Sequence, residues 1–217
     1  MTAALPHPSS AASGYCQPVT AAATEPLRGG VFTQGAVDLT GDGQAEVVQR
    51  RDNRVSVQTA DAGGAVVWQS EPDWQVVDLA VGDPNDDGRS ELLLALWKPD
   101  ADGVPRSHPF VIGYRGGLYR TLWGGSAVNR PLREVELGDV DGDGVQELIV
   151  LEEAADGHHT LAVWRWHGWG FSLLWRSEPG DYADLGLATL PDADAPLLIT
   201  VEAADGPMVS PEGALTP

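Results

Sequence analysis

Lysine is all but absent from this chain, with Lys98 its single representative, and cysteine is as scarce, with Cys16 alone. A lone cysteine excludes an internal disulfide. Thirteen basic residues face 32 acidic ones among 217, for a formal charge of −19. That balance excludes a nucleic-acid partner, whose phosphates demand clustered Lys and Arg, and it excludes a polybasic membrane patch as well. No apolar run approaches the roughly 20 residues of a membrane-spanning helix. Apolar residues at helical spacing over a long window are missing too. Residues 1–30 have no apolar segment behind a basic start, so as they stand they are not a signal peptide. Their Ala, Pro, Ser and Thr read as a flexible N-terminal tail. Tyr15 directly before Cys16 suits a lipid anchor poorly, which leaves an incidental thiol. What the chain does have is 26 glycines and 16 prolines, which favour turns over helix, and a 42% hydrophobic share, which argues against disorder. Its length suits one large domain or two small ones.

The sequence repeats itself. An acidic segment reads VDLTGDGQAEVV from Val37, VGDPNDDGRSELLL from Val81 and LGDVDGDGVQELIV from Leu137. A tryptophan landmark follows each copy: Trp68 in WQSEP, Trp123 in LWGGS and Trp175 in WRSEP. Two markers recurring in the same order define a unit of roughly 45 to 55 residues. A shortened fourth copy begins near Asp184 and keeps Asp192 and Asp194 without the glycine or the closing glutamate.

Each unit reads as β. EVVQR, RVSVQTA and AVVWQS follow the first acidic segment, and ELIVLE, TLAVWRW and FSLLWRS follow the third. These are short runs rich in Val, Ile, Leu and Trp, parted by turn residues at Asp61–Gly64, Arg115–Gly117 and His167–Gly170. With a short strand ahead of each acidic segment, such as EVELGD, every unit supplies about four strands. Repeated four-stranded units of that size are the signature of a β-propeller.

The acidic segments carry the chemistry. In the third, Asp139, Asp141 and Asp143 alternate, Gly144 permits a turn, Val145 offers a carbonyl and Glu147 closes. A hard cation such as Ca²⁺ takes six to eight oxygens at about 2.3–2.6 Å, and alternate carboxylates on a tight turn can converge on one ion. So many carboxylates so close together repel one another strongly unless a counter-charge is present. The second copy offers Asp83, Asn85, Asp87, Arg89 (through its carbonyl) and Glu91, and the first offers Asp38, Thr40, Asp42, Gln44 (likewise) and Glu46. Thr40 is a neutral donor, which ranks the first turn weakest. An EF-hand needs a bidentate Glu at position 12, where Gln49, Leu94 and Val150 stand here, so that fold is rejected.

Asp-x-Asp-x-Asp-Gly-x-x-Glu-Leu followed by strands resembles the FG-GAP or VCBS repeat, the blade of integrin-α-type β-propellers. The resemblance covers roughly residues 31–202, with three good copies and one degenerate. It implies an all-β propeller of about four blades, either a small closed ring or part of a larger propeller. It implies up to three Ca²⁺ bracing the turns without catalysis, and an extracellular or cell-surface location. The expected layout is a tail over 1–30, the repeat domain over 31–202 and a C-terminal tail over 203–217. The expected function is a calcium-stabilised, non-catalytic recognition or scaffold module for a protein or glycan partner. Two alternatives stay open: a polysaccharide-active enzyme or accessory module, and a structural unit that closes its ring by oligomerisation. Trp164, Trp166 and Trp169 surround one hairpin, and Trp169 at its tip is a candidate for binding a sugar or peptide.

Overall fold

The computed structural model describes residues 34–188 and the strands Leu198–Ala203 and Gly206–Val209. Every regular element among them is a strand. The first sheet holds β1 (Gln34–Val37), β2 (Glu46–Arg51), β3 (Arg54–Thr59) and β4 (Val66–Gln69). The second holds β5 (Gln75–Gly82), β6 (Glu91–Pro99), β7 (Pro105–Arg115) and β8 (Leu118–Gly124). The third holds β9 (Leu132–Gly138), β10 (Glu147–Glu153), β11 (His159–Trp166) and β12 (Phe171–Arg176). All three are antiparallel and ordered as in the chain. β13 (Tyr182–Ala188), β14 (Leu198–Ala203) and β15 (Gly206–Val209) form a further three-stranded sheet. β15 lies inside the stretch assigned to a C-terminal tail: backbone pairing with β14, from Thr200–Val209 to Ala203–Gly206, extends the fourth sheet that far. The N-terminal tail, Cys16, Asp192 and Asp194 lie outside the described residues.

The turns follow local chemistry. β7 and β8 are joined by Gly116 and Gly117, both at positive φ, and β2 and β3 by Asp52 and Asn53, also both positive. Two consecutive left-handed residues match the right-handed twist of flanking strands.

The sheets stack face to face. Val48, Val55 and Val57 of the first meet Leu92, Leu94, Leu96 and Ile112 of the second. The opposite face of the second, through Leu93, Ala95 and Val111, meets Leu148, Val150 and Ala162 of the third. Ile149, Leu151, Leu161 and Val163 then meet Leu185 and Leu187 of β13. Strands covered on both faces therefore read as unbroken apolar runs, LLLAL in β6 and LIVL in β10. β2 instead alternates, and the outer face of its sheet carries half-buried Val47, Gln49, Ser56 and Gln58. Trp68, Trp123 and Trp175, on the last strand of each sheet, are half-buried and pack on the first, second and third cores respectively.

Candidate metal site

Each acidic turn links the first strand of its sheet to the second. The strand ends one residue before the leading aspartate, and the closing glutamate is the first residue of the next strand. The leading aspartate folds the turn around itself. Asp38 accepts from the N–H groups of Gly41 (2.7 Å) and Gly43 (2.8 Å), and Asp83 from those of Asp87 (3.0 Å) and Gly88 (2.7 Å). Asp139 accepts from Gly142 (2.7 Å), Asp143 (3.1 Å) and Gly144 (2.8 Å). The Gly43 N–H leads in holding the Asp38 carboxyl below its usual range. Two positions in every turn are left-handed: Gly41 and Gly43, Asp86 and Gly88, Gly142 and Gly144. Gln44, Arg89 and Val145 hold matching places, each donating its backbone N–H to Asp42, Asp87 or Asp143.

The closing glutamates are buried: Glu46 is 7% exposed, and Glu91 and Glu147 are fully enclosed. One oxygen of Glu46 accepts from Leu39 N–H at 2.8 Å, and one of Glu147 from Val140 N–H at 3.1 Å. The matching residue in the second turn is Pro84, which has no N–H, and Glu91 Oε2 has no hydrogen-bond partner. Burial pushes Glu91 up to about 7 and also raises Glu147.

Two arginines enter the turns from the third strands. Arg165 Nη2 lies 2.6 Å from Asp143, 3.1 Å from Asp141 and 2.7 Å from Glu147. Arg115 Nη2 donates to Asp87 and, at 2.7 Å, to Glu91. The repulsion expected from the sequence is thus met in part within the chain, because hairpin geometry delivers a guanidinium to the second turn and to the third. Among the described residues no Lys, Arg or His lies within 4.0 Å of the carboxylates of the first turn. There, Thr40 Oγ1 stands 3.4 Å from both Asp38 and Glu46.

In the third turn Asp139, Asp141 and Glu147 each place a carboxylate oxygen within 4.8 Å of the others. That spacing and an all-oxygen donor set suit a hard divalent cation.

A second acidic group was not anticipated from the sequence. Asp78, Glu134 and Asp184 stand at one repeat position on the first strands of successive sheets, with Glu136 beside them. Asp78 accepts from Val135 N–H at 2.9 Å and Glu134 from Leu185 N–H at 2.7 Å, so each acid clasps the next sheet. The Asp184 carboxylate disfavours the charge of Asp78, whereas Arg50 favours it. Burial raises Asp78 to about 6, Glu136 to about 7 and Glu134 to about 8. The available signal was an acid five residues ahead of the turn in two of the copies, Asp78 before Asp83 and Glu134 before Asp139.

Trp169 is 81% exposed at the β11–β12 tip. Trp166 joins an edge-to-face cluster with Trp123 and Phe171. Compared with known proteins, the chain matches no family model and no curated relative.

Proposed function

We propose that this chain is a calcium-braced, propeller-type scaffold of repeated four-stranded blades, which acts by recognition rather than catalysis at a cell surface or outside the cell. The observation that carries this reading is the equivalence of the three turns. In each, the leading aspartate accepts from the backbone N–H of the glycine five residues on, and the closing glutamate is buried at the start of the second strand. Face-to-face stacking and the approach of Asp78 to Asp184 across an intervening strand favour blades arranged about an axis.

The residues present fit a hard cation. Glu91 keeps a buried oxygen without a partner, and Asp139, Asp141 and Glu147 converge. The holders would be Asp38, Thr40, Asp42 and Glu46; Asp83, Asn85, Asp87 and Glu91; and Asp139, Asp141, Asp143 and Glu147, with carbonyls of Gln44, Arg89 and Val145 completing up to three shells. The ion supplies charge neutralisation and cross-links strand to turn. The braced loops then present their edges to a protein or glycan partner.

The test is thermal unfolding in chelator and in millimolar Ca²⁺. At 100 times the dissociation constant, one independent site stabilises by roughly 2.7 kcal/mol. A melting temperature that is the same in both solutions rejects the calcium reading.

A further inference from the structure

The three turns share one backbone geometry but differ in what confronts their carboxylates. In the third, the Arg165 guanidinium is bonded to Asp141 and Glu147, two of the three residues whose oxygens converge for a metal. In the second, Arg115 is bonded to Asp87 and Glu91. In the first, Thr59 faces Glu46 across the β2–β3 pair. Arg165 occupies the matching place in the third sheet, one residue beyond the Leu148–Trp164 pair. In the second sheet that place belongs to Gly113, one residue beyond the Leu92–Ile112 pair, and the arginine comes from two residues further along β7.

Resting on the calcium reading above, we infer that Arg115 and Arg165 are built-in counter-charges that compete with a divalent cation for the second and third turns. The first turn, which has no such arginine among the described residues, is then where a cation binds first. Three observations support this. The guanidinium groups bond to carboxylates that a metal would also need, Asp87 and Glu91 in the second turn and Asp141 and Glu147 in the third, so the two occupants compete for them. A guanidinium carries one charge on a planar fork and satisfies carboxylates directionally, without a full oxygen shell. Glu91 keeps one enclosed oxygen that Arg115 does not reach, so the arginine leaves the second turn incompletely satisfied. The consequence is graded binding: the second and third turns keep their shape at low metal and load only where the ion outcompetes the arginine. This reverses the ranking expected from ligand types, in which Thr40 made the first turn weakest. Arg89 Nε lies 3.9 Å from where a Cβ on Gly41 would sit, yet makes no ion pair with the first turn.

The experiment is calcium titration by calorimetry, with melting curves in chelator and in 10 mM Ca²⁺, on the full chain and on Glu46→Gln, Arg115→Gln and Arg165→Gln. The wild type should show one tight site that Glu46→Gln removes. Each arginine substitution should tighten Ca²⁺ binding at its own turn by about tenfold or more, the scale of one charge-assisted hydrogen bond. Each should also lower the melting temperature in chelator while enlarging the rise on adding Ca²⁺. A variant that folds only with Ca²⁺ supports the inference, and one left unfolded at 10 mM Ca²⁺ counts against it. Calcium binding that is unchanged by either arginine substitution, or three equal sites in the wild type, overturns the inference and leaves the calcium reading intact. No binding by any of the chains overturns both.

Discussion

Pro84 stands where Leu39 and Val140 stand in the other turns, and through it Glu91 loses the backbone donor that caps Glu46 and Glu147. A carboxylate oxygen is therefore enclosed without a partner, and burial lifts Glu91 to about 7. Pro84→Leu supplies the N–H. The expected result is a Glu91 midpoint lowered toward the ordinary carboxylate range, read by carboxyl NMR titration. A midpoint that stays near 7 would show that the missing donor is not the cause.

The turns are tied to one another as well as to their own sheets. Gln146 Oε1 accepts from Asp83 N–H at 2.7 Å, joining the third turn to the second. Gln146→Ala should cost about 1 kcal/mol by denaturant unfolding, the net worth of one such bond. A Cβ on Gly82 would stand 2.2 Å from the same oxygen and 3.2 Å from Leu137 Cβ. Gly82→Ala should therefore displace Gln146 and cost at least as much, and a smaller loss would mean that the tie is dispensable.

Stability should fall as pH rises from about 5 to 8. Asp78, Glu136 and Glu134 have folded-state values raised to about 6, 7 and 8, so the folded chain binds more protons than the unfolded one in that range. Their contribution is complete below the ordinary carboxylate range and is lost as pH passes each raised value. The carboxyls with lowered values, Asp38, Asp61, Asp102 and Asp143, act in the opposite sense only at acid pH. Melting curves in chelator should show the decline, and Glu136→Gln should flatten it. A rise in melting temperature from pH 5 to 8 would contradict the assignment.

Asp86 occupies the left-handed position that Gly41 and Gly142 fill in the other turns, with φ of 54°. Asp tolerates this region better than most residues. Asp86→Val should lower stability by about 1–2 kcal/mol through backbone strain, while Asp86→Gly should be close to neutral in the same unfolding assay. Equal effects would mean that this φ carries no strain.

The strands, the four-strand repeat and the corner position of each acidic turn could be read from the chain, because each rests on local chemistry. Alternating and continuous apolar runs set the strands, and GDG and DDG supplied the left-handed sites. An aspartate followed by glycines folds a turn by accepting its own amides. The Asp52-Asn53 tip carries a weaker sequence signal than the glycine-bearing tips, because Asp and Asn tolerate the left-handed region without requiring it. β15 went unread because Gly206–Val209 has little apolar pattern of its own and is held by pairing with β14.

The sequence by itself determined where carboxylates gather within a turn, since residues a few positions apart must share it. Only the tertiary structure decided what meets those carboxylates. Arg165 reaches Glu147, Gln146 reaches Asp83 and Asp78 reaches Val135 because strand register and sheet stacking bring together groups that lie 18, 63 and 57 residues apart. Such meetings depend on the packing of whole sheets, and a linear pattern of residue types does not encode them.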